Sequence, residues 1–212
     1  MKNKKSVFNT LNVVTTAMLS AVAIVLASAF HNLVGDLATM FSPMHFPVFL
    51  IGILCGQWLG LIGGFLTPIV AFFANGRPPF PNGLVPMVFE LATYGFLSGL
   101  LRKVFLANPK TNKVSSVLAL AISMIAGRLV NAIVGAIIMA INGNPFFVAF
   151  GTKFIGNFTS TWVAIVIQLV LIPAILFALQ KSGILLNYLP DTVTVGQPEA
   201  TTVKETTEEE LQ

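Results

Sequence analysis

Apolar residues in this chain run in long unbroken stretches, with neither the alternation of a strand nor the one-sided stripe of a soluble helix. Four stretches stand out, at about Leu11 to Phe30, Leu84 to Leu101, Val114 to Ile141 and Phe154 to Leu179. Each approaches or exceeds the ~20 residues that a helix needs to span hydrocarbon. A fifth, Phe46 to Ala74, has 29 residues. As one helix it would reach roughly 44 Å at 1.5 Å per residue, overlong for one crossing and short for two full ones.

The placement of charge decides how that stretch is used, because Lys and Arg gather on the cytoplasmic side of a membrane. Lys2, Lys4 and Lys5 put the N-terminus inside. If Phe46 to Ala74 crossed once, Arg102, Lys103, Lys110 and Lys113 would fall outside, against the rule; if it crosses twice, turning near Gly56 and Gln57, they fall inside, and Lys181 with them. The chain is therefore expected to be an all-α, six-helix integral membrane protein with both termini cytoplasmic. The second and third helices are short or tilted. Arg77 and Lys153 alone remain as basic groups at the outer face. The Lys-rich start and Ala27-Ser28-Ala29 resemble a cleavable secretory signal. The apolar core is longer than a usual signal, however, and cleavage would leave an odd number of spans, so a retained first helix is expected.

Composition agrees with this assignment and removes other classes. Hydrophobic residues make up 55% of the 212 and charged residues 9%, with a mean hydropathy of +0.85, so a water-soluble globule is excluded. Residues 1–189, the expected transmembrane domain, hold eleven Lys/Arg against only Asp36 and Glu90; residues 190–212 hold six acids against Lys204 and are expected to form an acidic disordered cytoplasmic tail. The bases are scattered over loops, so no nucleic-acid partner is expected. The lone Cys55 can build neither a disulfide nor a thiolate metal site within the chain. No phosphate-binding loop, H-E-x-x-H or G-x-S-x-G motif occurs. The expectation is a binding protein, with no enzyme activity, cofactor or metal of its own.

Small residues four apart let helices approach closely in a bilayer. The first helix carries Ala17 with Ala21 and Ala23 with Ala27; a longer ladder, Gly52, Gly56, Gly60 and Gly64, precedes Pro68. Spacing alone leaves two uses open for these faces, internal packing or docking onto another membrane protein.

Polar groups within the apolar stretches are few and costly, at least ~2.5 to 3.5 kcal/mol for a charge, so each must face a partner or a wet cavity. Glu90 shares a face with Met87, Tyr94 and Ser98; Arg128 aligns with Asn131, Gly135 and Met139; Asn157, Thr161 and Gln168 form one stripe beside Trp162. Three helices each presenting one polar stripe suit a small polar ligand. A structural ion pair between Glu90 and Arg128 is the competing use, and Arg128 could also snorkel or clamp a lower layer. The loop Asn75 to Gly83 holds three prolines and two glycines among its residues, together with Arg77. That arginine could hold a carboxylate by paired hydrogen bonds or bind lipid headgroups. His45, just before Pro47, could be a satisfied interfacial histidine or a ligand contact.

Met44-His-Phe-Pro-Val-Phe-Leu-Ile-Gly52, the run Gly56, Gly60, Gly64 and Pro68, then Gly76-Arg-Pro-Pro79, Glu90-Leu-Ala-Thr-Tyr-Gly95 and Ser98-Gly-Leu100 together resemble the substrate-binding S components of energy-coupling factor transporters. The likeness runs over about residues 10 to 180. Its pieces are loose; their order and spacing carry it. The resemblance implies a prokaryotic cell-membrane protein that captures a water-soluble vitamin at its outer face. It would dock onto a transmembrane coupling protein bearing two cytoplasmic ATPases. The family's AxxxA docking pattern looks like Ala17, Ala21, Ala23 and Ala27. Substrate contacts would come from the later helices and outer loops, here Arg77, Glu90, Tyr94, Arg128, Asn131, Asn157, Thr161, Trp162 and His45. Where relatives often carry methionine this chain has Arg77, which suggests an anionic vitamin. Pantothenate would suit Arg77, Asn131 and Asn157; a pyridoxine or hydroxymethylpyrimidine ring would use Glu90, Tyr94 and Trp162. A solitary secondary transporter is the remaining alternative.

Overall fold

In a computed structural model, which describes residues 8–101 and 113–182, the chain is helical throughout its regular elements. In order these are α1 (Thr10–Val34), a 3-10 turn (Gly35–Leu37), α2 (Ala38–Phe41), α3 (His45–Cys55), α4 (Gln57–Asn75), α5 (Leu84–Leu100), α6 (Lys113–Ile141), α7 (Phe146–Ser160) and α8 (Trp162–Lys181). Lys2, Lys4, Lys5, Arg102, Lys103 and Lys110, which carried the inside assignment, lie outside the described residues, as does the acidic tail. Among the described residues, four helical stretches are long and apolar enough to cross a membrane: Thr10–Phe41, Gln57–Asn75, Val117–Ile141 and Trp162–Leu179. His45–Cys55 and Leu84–Leu100 are shorter apolar helices.

The ambiguous fifth stretch does divide in two, and glycine is what divides it. Gly56 sits at φ 96° between α3 and α4, a backbone setting that costs glycine little and other residues much. The two parts differ in kind. All of α3 except Phe46 is buried, and it packs on α1, α4, α5 and α8. With 11 residues it extends only about 16 Å at 1.5 Å per residue, shorter than the ~30 Å hydrocarbon layer.

The glycine ladder goes to internal packing. A methyl group on Gly60 would overlap the Gly95 carbonyl, one on Gly64 the Leu91 carbonyl, and one on Gly95 the Gly60 carbonyl. Backbone thus meets backbone across α4 and α5, leaving no docking surface on that face. Exposed Val14, Met18, Val22 and Val25 on α1, and Ile122, Ile125 and Ile133 on α6, present the apolar surface that lipid requires.

The predicted sixth helix is broken. Thr161, at φ −123° and ψ 21°, separates α7 from α8. The Asn157 carbonyl accepts hydrogen bonds from Arg128 and from the Thr161 hydroxyl, and a side chain entering the ladder in this way kinks a helix. The break removes Gln168 from the stripe of Asn157 and Thr161. Gln168 is buried elsewhere and donates to the Ser42 carbonyl at 3.5 Å.

Candidate functional site

Because α3 starts only at His45, the space beyond its first turn is left between the end of α1, α5, α6 and α7. A cavity of about 550 Å³ fills it, within the roughly 300–1,000 Å³ usual for small-molecule sites. Its floor is formed by His45, Glu90, Arg128, Asn131, Asn157 and Thr161; its rim includes Ser28, His31, Asn75, Arg77 and Pro79, and Lys153 lines the α7 wall.

The floor is one connected chain of hydrogen bonds. Tyr94 Oη donates to Glu90 Oε1 at 2.6 Å, and Asn131 Nδ2 to Glu90 Oε2 at 2.7 Å. Asn157 Nδ2 donates to Asn131 Oδ1 at 3.0 Å. Arg128 Nη1 donates to the Asn157 carbonyl at 2.5 Å and also to Thr161 Oγ1. His45 Nε2 stands 3.7 Å from Glu90 Oε1. Among the described residues no ion pair joins Glu90 to Arg128. Two asparagines separate them, which corrects the direct-pair reading, and Arg128 is held inside without snorkelling. Such a network is worth having in a low-dielectric interior only when its members are satisfied. Two buried atoms, His45 Nδ1 and Arg128 Nε, have no hydrogen-bond partner among the described residues, at a cost of roughly 1–3 kcal/mol each.

At the rim, Asn75 Nδ2 donates to Ser28 Oγ at 2.7 Å, tying α4 to α1. Arg77 Nη1 lies 3.5 Å from Asp36 Oδ1 and 3.4 Å from His31 Nδ1. Its side chain is 56% exposed, so these contacts are weak in free energy. Counted together, the cavity wall carries Arg77, Arg128 and Lys153 against the single acid Glu90.

Seven of the nine expected ligand residues line this one cavity: Arg77, Glu90, Arg128, Asn131, Asn157, Thr161 and His45. Tyr94 stands behind Glu90, buried, with its ring 4.7 Å from that of Phe49 and 5.5 Å from that of His45. Trp162 is not brought to the cavity. It follows the break at Thr161 and is 58% exposed on the outside, for the same reason that the stripe is interrupted. The family model for the substrate-specific component of ECF transporters matches residues 11–187. The chain belongs to this family. No curated protein and no solved structure matches it. An ECF substrate-specific component is a substrate-binding transporter subunit of the membrane.

The four alanines of α1 in this S component do not share a face. Ala17 and Ala21 are exposed, whereas Ala23 is fully buried and Ala27 turns to the cavity. Residues 21 and 23 lie about 200° apart on a helix of 3.6 residues per turn, so the docking expectation for Ala23 and Ala27 is corrected. Sequence reasoning also set Lys153 aside as an outer-face charge. The available signal was its spacing: Lys153, Asn157 and Thr161 recur every four residues, one helical stripe that begins one residue before the apolar run at Phe154.

Proposed function

We propose that this chain captures an anionic water-soluble vitamin for ATP-driven uptake across the plasma membrane, and that pantothenate is the best fit. The charge of the cavity wall carries this reading. Arg77, Arg128 and Lys153 stand against Glu90 in the wall and Asp36 beside Arg77, which leaves one positive charge in excess, and both oxygens of the Glu90 carboxylate already accept from Tyr94 and Asn131. A neutral or cationic ligand would leave this excess uncompensated in a low-dielectric site. Pantothenate offers one carboxylate for the cations, and hydroxyls and an amide for the polar floor around Asn131, Asn157 and Thr161.

The pyridoxine or hydroxymethylpyrimidine alternative has less support, since its stacking partners are elsewhere. Trp162 faces outward and the Tyr94 ring is packed between Phe49 and His45. Family membership supports a coupling protein and two ATPases as partners over solitary transport, and Ala17 and Ala21 offer a close-packing face for the docking. The test is mass spectrometry of the small molecule that copurifies, with calorimetric titration of the pure protein. Pantothenate should copurify and bind tightly, and vesicles should accumulate it only when the coupling protein, both ATPases and ATP are present. Tight binding of pyridoxine without pantothenate, or uptake by the lone subunit, would overturn the proposal.

A further inference from the structure

The polar stripes of α6 and α7 meet as rungs of an antiparallel pair. At the deepest rung Arg128 bonds the Asn157 carbonyl and Thr161; at the next, Asn131 accepts from Asn157. At the rung nearest the mouth, Gly135 lies under the stem of Lys153: a Cβ on Gly135 would come within 3.3 Å of Lys153 Cδ and 3.4 Å of its Cγ and Cε. The absence of a side chain at 135 thus provides the groove in which the lysine stem rests. The other two cations of the cavity are engaged by the protein itself. Arg128 is 2% exposed and bonded to α7, while Arg77 stands out in solvent beside Asp36 and His31. Lys153 lines the cavity and has no acid partner among the described residues.

We propose that Lys153, seated over Gly135, is the residue that selects the ligand's charge, taking a carboxylate at its ammonium group while Arg77 contributes only secondary attraction at the rim. This rests on the reading of the cavity as the ligand site but not on the identity of the vitamin. An ammonium on a stem that rests along a helix gives up less freedom on binding than one on a stem free in solvent. Inside a partly enclosed wall its charge is also screened less than at an exposed rim.

The test uses the full-length protein and three carboxylates, each paired with an uncharged counterpart: pantothenate with pantothenol, nicotinate with nicotinamide, and biotin with its amide. Affinities are measured for the wild type, Lys153→Gln, Lys153→Arg, Lys153→Glu and Arg77→Gln. The wild type should prefer the carboxylate of the pair it binds. Lys153→Gln should weaken that carboxylate by about 10- to 100-fold, the worth of a charged hydrogen bond, and leave the uncharged counterpart unaffected. Lys153→Arg should keep the preference and Lys153→Glu should reverse it, with Arg77→Gln producing the smaller loss. An unchanged carboxylate preference in Lys153→Gln overturns the proposal, as does a wild-type preference for the uncharged member, a dominant effect of Arg77→Gln, or binding of none of the three carboxylates. Should pantothenate fail while another carboxylate binds through Lys153, the vitamin assignment falls and the role of Lys153 stands.

Discussion

Asn131 is the residue on which the cavity floor turns, because its amide gives to Glu90 and takes from Asn157 at once. Asn131→Ala should leave a buried carboxylate oxygen and the Asn157 amide short of partners, at roughly 1–3 kcal/mol for each lost bond. Thermal unfolding in detergent should show a lowered midpoint, and ligand affinity should fall with it. Arg77→Ala should be milder than its charge suggests. Its side chain is more than half exposed, so the loss in anion affinity is expected at the ~0.2–1 kcal/mol of a solvated pair, measurable by calorimetry at low salt. Sequence inspection found Arg128, Asn131 and Asn157 by their cost inside hydrocarbon. It could not find the order of the bonds, which depends on the rotation of α6 against α7.

At the scale of the element, spacing marked α4 as a close-packing helix without naming its occupant, and on α1 it ran together two alanine pairs that face different ways. Small-xxx-small patterns have the same form whether the partner helix belongs to the same chain or to another. The structure gives Gly60 and Gly64 to α5, so Gly95→Ala should force backbones apart where neither side can yield. Overpacking of that kind costs at least about 1–3 kcal/mol, and size-exclusion profiles and unfolding midpoints should both deteriorate. On α1 the two alanine pairs should part company. Ala21→Trp, on the exposed face, should abolish ATP-driven uptake in vesicles while calorimetric ligand binding survives. Ala23→Trp should instead damage the fold and lose binding, because Ala23 has no free surface. Equal behaviour of the two would show that α1 is not divided into an inner and an outer face.

For the whole molecule, the expected topology places the loop of Arg77 and Lys110 on opposite sides of the membrane. Phe80, 67% exposed in that loop, is a convenient reporter, and the native Cys55 is buried. Phe80→Cys should react with an impermeant maleimide added outside intact cells, and Lys110→Cys should react only after permeabilisation. The loop of Phe80 also supplies Arg77, Pro78 and Pro79 to the cavity lining, so the same labelling reports the side of the membrane on which that part of the cavity lies. The all-helical fold was legible in outline, from apolar length. What length could not register was that α3 is a short, buried helix and that the last apolar stretch is broken at Thr161.

By itself the sequence determined that this chain lives in a bilayer as packed helices, that Gly56 divides the fifth apolar stretch, and which few polar side chains need company. Those properties follow from local quantities: run length, the cost of burying charge, and the backbone freedom of glycine. Only the tertiary structure decided that Glu90 and Arg128 are joined through two asparagines rather than directly, that Trp162 and Ala23 face the opposite way from their expected roles, and that Lys153 lies over Gly135 in the cavity wall. Each of these depends on how one helix is rotated against another and on where a helix stops, and side-chain hydrogen bonds between residues about 30 to 40 apart in the chain carry no signature in the spacing of either partner alone.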